Sequence, residues 1–145
     1  MTDIESLIRD HSQKKRQESD DLQRRAVEDR VAKCECVELL KSTVLPVLRE
    51  CAADIERAGY KSDVCEQLES WQPSVAIEIT VSAPGLSSGS SLVFEQAGTG
   101  RIGVVARICG RKSYINRKEW QSHEVNGGKV KSATVDFVKA VLESN

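Results

Sequence analysis

The sequence predicts an α+β chain: a long N-terminal helix kinked near Pro46, an antiparallel meander of three to five strands, and a short C-terminal helix packed on the sheet. Three observations predict it. Residues 3–58 contain no glycine and a single proline, and are dominated by Glu, Lys, Gln, Arg, Leu and Ala, the strong helix formers. Residues 74–109 carry successive apolar–polar alternations with no helical pattern between them. Residues 132–144 return to an apolar spacing of three to four. Strands that follow one another without interleaved helices form an antiparallel sheet, with the helices covering its apolar face.

Thr2 or Asp3 is placed to cap the first helix, and Gly59 stands where a helix-terminating glycine belongs, with Arg57 in the last turn. Val37, Leu40, Val44, Leu48, Cys51, Ile55 and Ala58 recur at three or four residues and form one stripe. Pro46 has no N–H to offer the Ser42 carbonyl, which predicts the kink. The stretch "RDHSQKKRQESDDLQRRAVEDR" has only Leu22, Ala26 and Val27 on any seam. A helix this polar is not held by a core, and its heptads are too broken for a regular coiled coil. Three readings compete for it: an arm pairing with a second copy, a frayed tail, or a segment bound to another partner. Residues 1–30 are therefore read as a polar helical arm and 31–145 as the α+β domain.

"YKSDVCEQLE" is a first, weakly patterned strand. In "SVAIEITVSA" (74–83), Val75, Ile77, Ile79 and Val81 alternate with Ala76, Glu78, Thr80 and Ser82, the mark of a strand apolar on one face. "PGLSSGSS" (84–91) reads as a loop of turn residues. "LVFEQ" (92–96) turns Leu92 and Phe94 inward. "RIGVVARIC" (101–109) turns Ile102, Val104, Ala106 and Ile108 inward, leaving Arg101, Val105, Arg107 and Cys109 on the other face. "SYINRKEWQSHEV" (113–125) reads as a strand or irregular edge. Gly127-Gly128 break the chain. The C-terminal helix is capped by Ser132, or by Asn126 if it begins earlier, with Val135, Val138 and Val141/Leu142 on one side.

"GTGRIG" (98–103) spells the glycine fingerprint of dinucleotide-binding folds. That motif works by closing a strand-to-helix turn, so that a pyrophosphate rests on the helix N-terminus. Here it leads into "VVARIC", which is β-branched and alternating. The expected structure is a hairpin, with 97–100 as a tight turn and Gly103 on the outer face of a strand. No cofactor is expected.

Other chemistry is sparse. Cys34-Glu35-Cys36 lacks the second ligand pair of a zinc site, and His11 and His123 are distant. Residues two apart do not share a helix face, so no metal site is expected. Cys34, Cys36, Cys51, Cys65 and Cys109 are odd in number and irregularly spaced. With no apolar leader or membrane span in view, they point to a reduced, cytoplasmic protein. No G-x-S-x-G surrounds a serine, and Asp20-Asp21 read as a solvated helix face. No catalytic residue is assigned.

Charge is uneven. Residues 1–95 carry 12 Lys/Arg against 18 Asp/Glu, and residues 96–145 carry 9 against 4. Arg101, Arg107, Arg111, Lys112, Arg117 and Lys118 occur without an intervening acid. With Tyr114 and Trp120 among them, they form a candidate anion or nucleic-acid surface. The structural alternative packs Tyr114 and Trp120 at the core edge, with the cations guarding an exposed strand edge. Glu78 or Glu95 would then neutralise Arg107 across the strands.

Two function classes follow. The first is a non-catalytic interaction protein, a homo-oligomeric adaptor or regulatory module. It dimerises through the N-terminal helix, with Val37, Leu40, Val44, Leu48 and Ile55 as the candidate interface. The second is a nucleic-acid binder using 101–118.

Overall fold

The computed structural model of the chain describes residues 3–83, 86–111 and 113–144. The fold is α+β. The chain forms two units, Met1–Ala32 and Lys33–Asn145. The first unit is helical. Helix α1, Ile4–Leu39, begins in it, and the helix is exposed along its whole course through 31. Leu7 N–H donates to the Asp3 carbonyl at 3.3 Å, which closes the first turn. Thr2 lies outside the described residues.

In the second unit a π-helical turn, Leu40–Val44, leads into α2, Leu45–Arg57. The proline therefore acts one turn early. Leu45 N–H reaches back to the Leu40 carbonyl, and Pro46 sits in the first turn of α2, the helical position that tolerates proline best. Ser42 Oγ donates to the Glu38 carbonyl at 2.6 Å within the same widened turn. At the other end Gly59 N–H donates to Glu56 and Tyr60 N–H to Ile55. These are the paired bonds that end a helix on a left-handed residue, here Gly59 with φ +96°.

Five strands follow: β1 (Lys61–Gln67), β2 (Ser74–Ala83), β3 (Leu86–Gln96), β4 (Arg101–Ile108) and β5 (Tyr114–Gln121). They pair antiparallel in sequence order, with β3 central. Of the serine-rich stretch 84–91 expected to be a loop, residues 84 and 85 lie outside the described residues, and 86–91 are instead the first half of β3, paired with β2 from Leu86 onward. Tertiary pairing overrides turn propensity there. At Ser90, for example, the buried hydroxyl accepts from Cys109 N–H at 2.9 Å. In β2, β3 and β4 the alternating apolar residues turn inward. Val75, Ile77, Ile79, Leu92, Phe94, Ile102, Val104 and Ile108 are all buried.

A short 3-10 turn, Ser122–Glu124, precedes α3, Gly127–Glu143. The helix starts five residues earlier than its apolar spacing predicts. The two glycines occupy its first turn instead of breaking the chain. Asn126 makes this possible: its side-chain oxygen accepts from Lys129 N–H at 2.8 Å, a cap that stabilises by about 1 kcal/mol. The buried face also differs. Val130, Ala133, Thr134, Phe137 and Val141 point into the core, whereas Val135 and Leu142 are nearly half exposed and Val138 only borders it. Helices α2 and α3 and the π turn meet the inner sheet face in one core.

Candidate functional site

The apolar stripe is consumed by this core. Leu40, Val44 and Leu48 are fully buried and Ile55 is 9 % exposed, all within the chain's own core, while Val37 is half-buried. These side chains offer a second copy almost no surface. The exposed apolar side chains of the helical region lie further towards the N-terminus, at Ile4, Leu7, Ile8, Leu22, Val27 and Val31. The first three stand at i, i+3 and i+4, and so share one helix face.

The basic segment divides between the two sheet faces. Lys118 is in register with Val104 on the covered face, and its ammonium lies 5.4 Å from the Trp120 ring centre. Lys129 approaches the same ring at 4.9 Å. Trp120 is buried and lies 5.9 Å from Phe94, so it is a core-edge residue wedged under two cations. Tyr114 is 46 % exposed. Arg101, Arg107 and Arg117 occupy positions of the open face, one residue out of phase with Ile102, Ile108 and Trp120. Arg111 is exposed beyond β4, and Lys112 lies outside the described residues.

Two of the open-face arginines have acidic partners. Arg101 lies 3.6 Å from Glu119, and Arg117 lies 4.0 Å from Glu95. Neither acid expected to pair with Arg107 does so. Glu95 is in register with Gly103 and reaches Arg117 instead, and Glu78 is two strands away from Arg107. The segment is therefore not one convergent cationic surface.

The glycine motif is a hairpin. Gly98 and Gly100 have φ of +115° and +72°, and Ala97 N–H donates to the Arg101 carbonyl across the turn at 3.2 Å. Gly103 lies within β4, so no helix N-terminus stands behind the motif. The two cysteines of the C-x-C pair separate as their spacing dictates: Cys34 is exposed and Cys36 buried. Burial pushes the Cys36 thiol up to about 11, the opposite of an activated thiolate. Among the described residues, no group of three or more His, Cys, Asp or Glu could hold a metal ion. No described helix is long and apolar enough to cross a membrane. An apolar cleft of about 230 Å³ between α2, β2 and α3 is lined by Ile55, Tyr60, Ile79, Val138 and Leu142, with Asp54 the sole ionisable side chain besides Tyr60.

Sequence reasoning passed over two features. Trp71, between β1 and β2, is 86 % exposed; an isolated indole in a polar loop has no periodic signal. The open sheet face carries an apolar row, Ala76–Val93–Val105. Val105 is 8 % exposed yet stands apart from the main core. Its signal was the small or apolar character of alternate outward positions in three neighbouring strands. The chain matches no protein-family model, and no curated protein and no solved structure matches it.

Proposed function

We propose that this chain is a non-catalytic interaction module, an adaptor or regulatory subunit that works as a homo-oligomer in the reducing cytoplasm. The observation that carries the reading is the exposure of Ile4, Leu7, Ile8, Leu22, Val27 and Val31, each more than half exposed on one long helix. A solvated helix of this polarity gains little stability from its own backbone. Association that covers those side chains supplies what the sequence alone does not. With the 40–55 stripe buried in the chain's own core, the arm is the part of the long helix left to associate.

Light scattering across a concentration series tests this. The full chain is expected to give a dimer mass or higher at tens of micromolar. Leu22→Asp with Val27→Asp is expected to lower that mass while the sheet stays folded by circular dichroism. A monomer mass for the unaltered chain at high micromolar concentration rejects the reading.

The excess of basic over acidic residues after residue 96 favours a second reading, nucleic-acid binding through 101–118. The Arg101–Glu119 and Arg117–Glu95 pairs and the placement of Lys118 on the opposite face weigh against it. Submicromolar binding of a mixed-sequence oligonucleotide that weakens steeply with salt, and is lost on reversing Arg117 and Lys118, would put this reading first.

A further inference from the structure

We propose that the open face of the sheet is a self-complementary docking surface for a second copy of this chain, related to the first by a two-fold axis parallel to β3. This goes beyond association through the arm and does not depend on it.

The inference comes from the register. One outward row runs Cys65, Ala76, Val93, Val105, Arg117 across the five strands. The next runs Asp63, Glu78, Ser91, Arg107, Ile115. A two-fold axis along β3 carries β2 of one copy onto β4 of the other and keeps each row in place. Val93 then meets its own counterpart, and Ala76 meets Val105. In the second row Ser91 meets Ser91, and Glu78 of each copy meets Arg107 of the other. Two ion pairs form for each pair of chains, related by symmetry, as an isologous interface requires.

Within one chain the same two residues are two strands, or about 10 Å, apart. Among the described residues Glu95 and Arg117 bridge such a separation whereas Glu78 and Arg107 do not, which leaves both charges for a second copy. Small side chains lie between them. Ala76, Val93 and Ser91 allow two sheets to approach to the usual spacing of about 10 Å; Val105, only 8 % exposed, adds little surface of its own.

Glu95 is the remaining charge on the axis strand. It is turned along the sheet towards Arg117, and its side chain is 21 % exposed, so it does not confront its own image bare. At β1 and β5 the twist of the two sheets carries the rows apart, and Asp63 and Ile115 are not required to meet. The three central strands, about seven residues each, give a face of roughly 350 Å² in projection. That is below the ~800 Å² per partner of a standard interface, so the contact is expected in the micromolar range.

The test uses the full-length chain carrying Leu22→Asp and Val27→Asp, which removes association through the arm. Sedimentation equilibrium up to high micromolar concentration is expected to show that this chain still dimerises. Adding Glu78→Arg, or separately Arg107→Glu, is expected to weaken dimerisation at least tenfold. Mixing the two reversed chains in equal amounts is expected to restore it. The arginine introduced at position 78 of one chain then faces the glutamate introduced at position 107 of the other. The second pair joins the unaltered Glu78 to the unaltered Arg107, so both pairs again match opposite charges. Val93→Asp is expected to abolish dimerisation with an unchanged circular dichroism spectrum. A monomeric arm variant overturns the proposal but leaves the arm reading intact. An arm variant with the mass of the unaltered chain counts against the arm reading alone. Charge reversals without effect, or reversed chains that fail to rescue each other, overturn the proposal wherever the arm stands.

Discussion

Arg111 N–H donates to the Ser144 carbonyl at 2.8 Å, and Gly110 lies directly beneath that same carbonyl. The end of α3 is thus tied by backbone to the segment that follows β4. A Cβ at residue 110 would overlap the Ser144 carbonyl and press on Ser144 Cβ, so the backbone there would have to shift. Gly110→Ala is expected to destabilise the domain by about 1–3 kcal/mol, the usual cost of forcing a methyl into filled space. Gly89→Ala, at a position with no atom within 4 Å, is the matched control and is expected to be neutral or mildly stabilising. Urea unfolding followed by tryptophan fluorescence measures both. Equal midpoints for the two variants would mean that the tie at Ser144 yields without cost.

The tight turn between β3 and β4 makes a separate claim on stability. Gly100 sits at φ +72°, where an L side chain costs about 1–2 kcal/mol and a β-branched one meets added crowding. Gly100→Val is expected to lower the melting temperature. Adenine or nicotinamide nucleotides at millimolar concentration are expected to leave the melting temperature of the unaltered chain unchanged, since no helix N-terminus follows the glycines. A clear stabilisation by any of them would restore the phosphate-binding reading of the motif.

Cysteine chemistry gives a prediction with a definite pH window. Burial raises the Cys36 thiol from an ordinary value of 9.0 to about 11. Between these values the unfolded chain has released its proton while the folded chain retains it. The folded state therefore binds more protons, and stability falls as pH rises. The loss begins above pH 9 and is complete near pH 11, with a size of order 2 kcal/mol. Cys36→Ala is expected to flatten this alkaline decline. A thiol reagent at mildly alkaline pH is expected to label exposed Cys34 first and to leave Cys36 until the domain opens. Rapid labelling of Cys36 under native conditions would show the burial to be wrong.

What the sequence disclosed, and what it concealed, follows from the strength of each local signal. Val75, Ile77 and Ile79 alternate without interruption, and so β2 was legible to the residue. The 86–91 half of β3 was not, because serine and glycine carry turn propensity while the ladder to β2 is a long-range contact. Gly127-Gly128 looked like a break because the neighbouring cap, Asn126, outweighs two poor helix formers only once its bond to Lys129 forms. The stripe 40–55 was legible as an apolar face, but periodicity does not say which surface covers a face; the chain's own sheet does. The split of Arg117 and Lys118 between opposite faces follows from period two as soon as β5 is a strand. Residues 101–118 therefore do not form one patch once that alternation is applied.

The C-terminal helix offers the sharpest test of phase. Its valines, read alone, put Val135 and Leu142 inward, whereas the structure buries Phe137 at 3 % exposure and leaves Val135 at 44 %. Phe137 faces Leu92 and Val104 across a shared cleft of about 90 Å³. Removing its ring would enlarge a space already bounded by stiff strand side chains, so little relaxation is available. Phe137→Ala is therefore expected to cost about 3–5 kcal/mol, the range for aromatic truncation in a core. Val135→Ala removes a half-solvated side chain and substitutes a better helix former, so it is expected to fall within about 0.5 kcal/mol of the parent. Chemical denaturation of the two variants side by side, with Trp120 fluorescence as the reporter, settles the phase. A costly Val135→Ala beside a tolerated Phe137→Ala would rotate the helix by roughly half a turn, to the face that the valines alone suggest.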